Sequence, residues 1–131
     1  MKFPKPTSDK FLQAYLVAAL WSSNDNSDES GGDPLDENYD ITDIADESMA
    51  KAIRDCNRFM EENASDLEAT GADDEQNGHD FWLTRNRHGV GFWDRGYPKA
   101  LGDRLTKAAH AFREVDAVVG DDGKIYFEGG V

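Results

Sequence analysis

Cysteine is almost absent. Cys56 stands alone, which excludes an intramolecular disulfide and any multi-cysteine zinc site. Cations are scarce too: 14 Lys and Arg face 27 Asp and Glu, for a formal net charge of -13. The phosphates of DNA, RNA or an anionic membrane repel such a chain, so direct nucleic-acid binding and membrane attachment are poor expectations. The longest apolar stretch, Phe11 to Trp21, has 11 residues and is interrupted by Gln13, against roughly 20 for a spanning helix. Lys2, Lys5 and Lys10 imitate the basic start of a signal peptide. Asp9, however, sits directly before the apolar stretch, where Ser8 or Asp9 can cap a helix. The expectation is a cytoplasmic chain with a reduced Cys56.

Motifs for catalysis are missing as well. There is no phosphate loop, no Gly-x-Ser-x-Gly elbow and no Cys-His pair at a recognisable spacing. Gly89-Val90-Gly91 begins like a dinucleotide fingerprint, but Asp94 takes the place of the third glycine. Asp73, Glu75, Asn77 and Gly78 match the start of a calcium loop. Its last position, which needs a bidentate Glu, is Thr84, and Asp80 stands where an apolar residue belongs. No cofactor, resident metal or catalytic residue is expected on this ground. The enzyme alternative that remains is a small metal-dependent hydrolase using His79, Asp80 and His88.

What the chain does have is enough aromatic mass, with seven Phe, four Tyr and three Trp, to seed one core in 131 residues. Its charge is sorted along the sequence. Residues 1–78 hold 19 acidic and 6 basic side chains, whereas residues 79–131 hold 8 of each. Self-repulsion in the acidic part costs stability, so it calls for either a solubility or a partner explanation.

Periodicity predicts the elements. Thr7-Ser8-Asp9 starts a helix carrying Phe11, Leu12, Tyr15, Leu16, Ala19 and Leu20, ending about Trp21. Residues 22–38 read as a mobile acidic loop. Ile41, Ile44, Ala45, Ser48, Met49, Ala52, Ile53, Cys56 and Met60 form the stripe of a second helix, capped by Asp40 or Thr42. From His79 the period changes to alternation. His79–Arg85 and Val90–Arg95 are predicted as a hairpin, with Leu83 facing Phe92, Trp82 facing Trp93 and Asp80 facing Arg95. A helix from Lys99 to Arg113 follows, burying Leu101, Leu105, Ala108, Ala109 and Phe112. Ala117–Val119 and Ile125–Phe127 then flank an Asp-Gly turn. The order helix, helix, hairpin, helix, hairpin is a single α+β domain over residues 1–131, with helices packed on an antiparallel sheet.

Two clusters are candidate binding surfaces. Asp80, Trp82, Arg85, Arg87, His88, Trp93 and Arg95 join aromatic to basic character on the predicted hairpin. Such a set suits a protein interface or single-stranded bases, or else serves as sheet cement beneath a helix. Asp36, Glu37, Asp40, Asp43, Asp46 and Glu47 form the acidic candidate. Carboxylates three or four positions apart on a helix lie about 5–6 Å apart at Cβ, near the spacing of consecutive phosphates, and could occupy a protein's basic groove. The plainer explanation is a solvated, solubilising face.

Several stretches are familiar together: Phe11-Leu12-x-x-Tyr15-Leu16-x-Ala18-Ala19-Leu20-Trp21-Ser22-Ser23, Asn38-Tyr39-Asp40-Ile41, His79-Asp80-Phe81-Trp82-Leu83-Thr84-Arg85-Asn86, Gly91-Phe92-Trp93-Asp94-Arg95-Gly96 and Gly120-Asp121-Asp122-Gly123-Lys124. They resemble a family of small tailed-bacteriophage proteins that carries no assigned function. Arg87 and Val90 stand where that family's turn has Gly and Ala. The resemblance implies a phage or prophage origin and the cytoplasm of an infected bacterial host, and it supplies no catalytic residue. Small acidic phage proteins resemble inhibitors of host nucleic-acid enzymes or defence systems. The leading expectation is therefore a non-enzymatic inhibitor of a host protein with a basic groove, acting by DNA mimicry. The metal hydrolase and a single-stranded nucleic-acid-binding accessory protein are the alternatives.

Overall fold

Ser8 begins the first helix by accepting a hydrogen bond from the Phe11 amide, and the apolar spacing that follows makes α1, Asp9–Ser22. The computed structural model describes residues 3–25 and 32–130. After α1 come α2 (Asp46–Glu62), α3 (Ala64–Ala69), α4 (Asp74–Arg85) and α5 (Lys99–His110). The chain closes with strands β1 (Val115–Val119) and β2 (Ile125–Gly129), paired antiparallel from Val115–Gly129 to Val119–Ile125. Among the described residues, five α-helices with one antiparallel hairpin make an α+β fold. No helix among the described residues is long and apolar enough to cross a membrane.

The predicted terminal hairpin forms around its Asp-Gly turn. Gly123 takes a positive φ of 76°, and the Asp122 carboxylate accepts from the Lys124 amide at 3.0 Å and from the Tyr126 hydroxyl at 2.6 Å. The predicted central hairpin does not form. Its first half is α4, with Asp73 as N-cap accepting from the Gln76 amide at 2.8 Å, and its second half is a 3-10 turn at Phe92–Asp94. Phe81, Trp82, Leu83, Thr84 and Arg85 are buried in succession. A helix enclosed on all sides shows no polar face, so its period is hidden. The same segment carries the oxygen spacing of a calcium loop, but it is wound as helix from Asp74 onward. The core is consequently helix on helix, with the two-stranded sheet to one side.

Phe81 is the centre of that core. Its ring stacks on Phe59 at 4.1 Å and meets Phe112 edge-on at 5.1 Å, with Tyr15 at 5.3 Å and Phe11 at 6.2 Å. α1 crosses α4 at Phe11 and Gly78, close enough that a Cβ on Gly78 would lie 2.8 Å from the Phe11 carbonyl carbon.

The second helix begins later than its stripe predicts. Asp40 caps only a 3-10 turn at Ile41–Asp43, and Ile44 and Ala45 are extended before α2 starts at Asp46. The cause is tertiary: Ile44 bridges Ile125, and the Ala45 amide donates to the Ile125 carbonyl at 2.8 Å. Ser48 adds a second tie, its Oγ accepting from the Phe127 amide at 2.9 Å.

Of the predicted mobile loop at 22–38, residues 26–31 lie outside the described residues, and the rest is held in place. Asn24 bridges Pro34, the Leu35 amide donates to the Ser23 carbonyl at 2.9 Å, and Leu35 is fully buried.

Candidate functional site

The residues assigned to the hairpin surface separate into core and surface. Trp82 is buried, its ring edge-on to Tyr15 at 5.3 Å and its Nε1 donating to Ser22 Oγ at 2.8 Å. Arg85 is fully buried and Trp93 is 44% exposed, so the two tryptophans share no platform for bases. His88 is half-buried and lines a hollow with Trp82 and Asn86, whereas His79 lines a different cleft beside α1. The His79, Asp80 and His88 set of the hydrolase reading is thus not assembled. Among the described residues no three His, Cys, Asp or Glu side chains group as metal ligands. Both corrections follow from the absence of the ladder: α4 ends at Arg85, so Trp93 and His88 lie beyond it and are not brought opposite Trp82 and His79 by strand pairing.

Asp80 and Arg95 do meet, as their sequence pairing anticipates, but between a helix and a turn instead of across a ladder. Asp80 is fully buried; its Oδ1 accepts from Arg95 Nη2 at 2.7 Å and its Oδ2 from Arg95 Nε at 3.0 Å and Gln76 Nε2 at 3.0 Å. His79 Nδ1 lies 3.6 Å from Asp80 Oδ1, and its ring stacks on Trp21 at 5.6 Å. Burial works against the Asp80 charge, but the hydrogen bonds from His79, Arg95 and Gln76 outweigh it and hold the carboxyl below its usual 3.8. A folded value below the unfolded one means stability that is complete above the unfolded value and lost as pH falls through the folded one. Asp80→Asn should therefore lower Tm at neutral pH and flatten the fall of Tm below about pH 4. Thermal melts of both proteins across that range check this.

The acidic candidates are at the surface but not on one helix. Asp36 and Glu37 sit in a 3-10 turn at Leu35–Glu37, Asp40 and Asp43 cap the next turn, and Asp46 and Glu47 open α2. Asp40 is held below the usual carboxylate value by the side-chain and backbone donors of Thr42. Asp43 is half-buried and accepts from the Asp40 amide at 2.9 Å, so its first duty is structural. Asp36, Glu37, Asp46 and Glu47 are exposed and make no salt bridge among the described residues.

Sequence reasoning missed the surface that joins these parts, the outer side of α1. Val17 is 50% exposed and Trp21 is 41% exposed, one helical turn apart. Val17 forms a ridge between two hollows. One, a cleft of about 580 Å³, runs to α4 past Gln76, His79 and Arg95. The other, of about 320 Å³, runs to Tyr39 and Ile41 and is rimmed by Asp36 and Asp40. The signal was present in the sequence, since Val17 and Trp21 fall off the stripe that α1 buries.

No protein-family model, curated protein or solved structure matches the chain.

Proposed function

We propose that this chain is a small acidic accessory protein of phage or prophage origin, without enzymatic activity. It binds and inhibits a host nucleic-acid-handling or defence protein in the cytoplasm of the infected cell. The observation that supports this reading is the sorting of charge. Between Lys10 and Lys51 the sequence has ten Asp and Glu and no Lys or Arg. Elsewhere several acids have cationic partners: Asp55 with Arg85, Asp80 with Arg95, Asp66 with Arg104, Asp103 with Lys99. Asp36, Glu37, Asp46 and Glu47 are left for a partner. A groove built for phosphates offers the complementary field, which steers encounter and favours register. The acids span three consecutive turns, so the mimicry is of a charged surface and not of a single regular row.

The test reverses Asp36, Glu37, Asp46 and Glu47 to Lys, leaving the capping residues Asp40 and Asp43 in place. Wild-type protein should capture a nucleic-acid-handling or defence protein from host lysate at low salt and release it as salt rises. The reversed variant, checked for an intact circular dichroism spectrum, should bind that protein roughly tenfold or more weakly. Equal capture by the two would overturn the reading.

A further inference from the structure

We infer that the outer side of α1, with the hollows on either flank, is the docking site for an amphipathic basic segment of the partner protein. This deepens the acidic-surface reading and rests on it, assigning the apolar anchor and the kind of segment that covers it.

The geometry is that of a helix face with nothing on it. Val17 and Trp21 project outward while the same helix buries Phe11, Tyr15, Leu16 and Leu20. Trp21 is held by its stack on His79 and so presents a rigid aromatic surface. The hollows beside Val17 share Gln13 and Val17, so one apolar side chain set over the ridge reaches both.

Charge selects the occupant. Asp73 and Glu75 border one hollow, and Asp36 and Asp40 border the other. The cations nearby are Lys10 and Arg95, and Arg95 is committed to Asp80. A second copy meeting this face with the same face would bring the same acids against these, and a nucleic acid would bring phosphates. A segment with an apolar stripe and flanking Lys or Arg satisfies both features, as helices do when they lie in an apolar groove.

The probes are an amphipathic helical peptide of leucine and lysine and a glycine-serine-lysine peptide of equal length and charge. Each is titrated into the full chain at low salt and followed by amide NMR. The leucine-lysine peptide should bind roughly tenfold more tightly or better and shift Gln13, Val17, Trp21, Tyr39 and Ile41. Val17→Ser with Trp21→Ser, which leaves the charge as it is, should remove that advantage and leave the weaker glycine-serine-lysine binding unchanged. Asp36→Lys with Glu37→Lys should weaken both peptides. If the Val17 and Trp21 changes leave leucine-lysine binding intact, or the shifts map elsewhere, the docking site is overturned while the acidic reading stands. If the Asp36 and Glu37 reversal leaves both peptides unaffected, the acidic reading fails with it.

Discussion

Arg85→Met should destabilise the fold by about 3–5 kcal/mol, a large share of the roughly 5–15 kcal/mol that holds a domain together. Methionine replaces the apolar stem of the side chain but none of its bonds. The guanidinium donates to Asp55 Oδ2 at 2.8 Å, Tyr15 Oη at 3.1 Å, the Phe112 carbonyl at 2.7 Å and the Arg113 carbonyl at 3.0 Å. It also lies 5.6 Å over the Phe81 and Phe112 rings. Burial alone would lower the Arg85 pKa, but Tyr15 and Asp55 more than offset it, so the cation persists at every working pH. Removing it leaves two carbonyls without their donor and the Asp55 carboxylate with only the longer Lys51 contact at 3.4 Å, at the junction of α4, the end of α5 and the start of β1. Arg85→Lys should rescue only part of the loss, because one ammonium cannot reach four acceptors in a plane. Adding Asp55→Leu to Arg85→Met should recover part of the stability, since an apolar pair avoids a buried carboxylate that has lost its closest partner. Urea denaturation of the single and double variants at pH 7 measures each quantity. A loss under about 1 kcal/mol for Arg85→Met would show that the network relaxes around its absence.

Gly78→Ala carries a sign that separates two accounts. In an ordinary helix interior the change gains about 1 kcal/mol, because alanine forfeits less backbone freedom. Here α1 crosses α4 over this residue, and the added methyl would overlap the Phe11 carbonyl oxygen, with the carbonyl carbon 2.8 Å and the Phe11 Cα 2.9 Å away. Both neighbours are backbone, so neither can turn aside. The helices must separate, which disturbs the contacts of Phe81 with Phe11 and Tyr15. The expected outcome is a loss of about 1–3 kcal/mol or more, read as a lower urea midpoint. A gain would mean that the crossing is looser than its geometry indicates.

Much of the fold was legible in the sequence wherever one side of an element faces water. α5 and the terminal hairpin each pair an apolar side with a polar one, α1 follows its Ser8 cap with apolar residues at helical spacing, and each forms within a few residues of its predicted bounds. α4 was illegible for the opposite reason, since the six successive residues Asp80 to Arg85 at its end are enclosed. Its start was nevertheless written in Asp73, Asp74 and Glu75, a cap followed by acids at the positive end of the dipole. The delayed start of α2 could not be read locally, because Ile125, far along the chain, decides it. The site divides in the same way. Exposure of Asp36, Glu37, Asp46 and Glu47 follows from charge alone. The sinking of Asp80, Trp82 and Arg85 into the core depends on the helical winding of a segment that alternation disguised.

The bridge between Ile44 and Ile125 also bears on how the protein is made. The acidic stretch is synthesised early, but the backbone that fixes its last turns lies within the final strand. A nascent chain therefore cannot hold Asp40 to Glu47 in their finished arrangement until Ile125 has cleared the ribosome. The ribosome's own RNA repels that stretch in the meantime, so the surface proposed for the partner is completed only once β2 has emerged and paired.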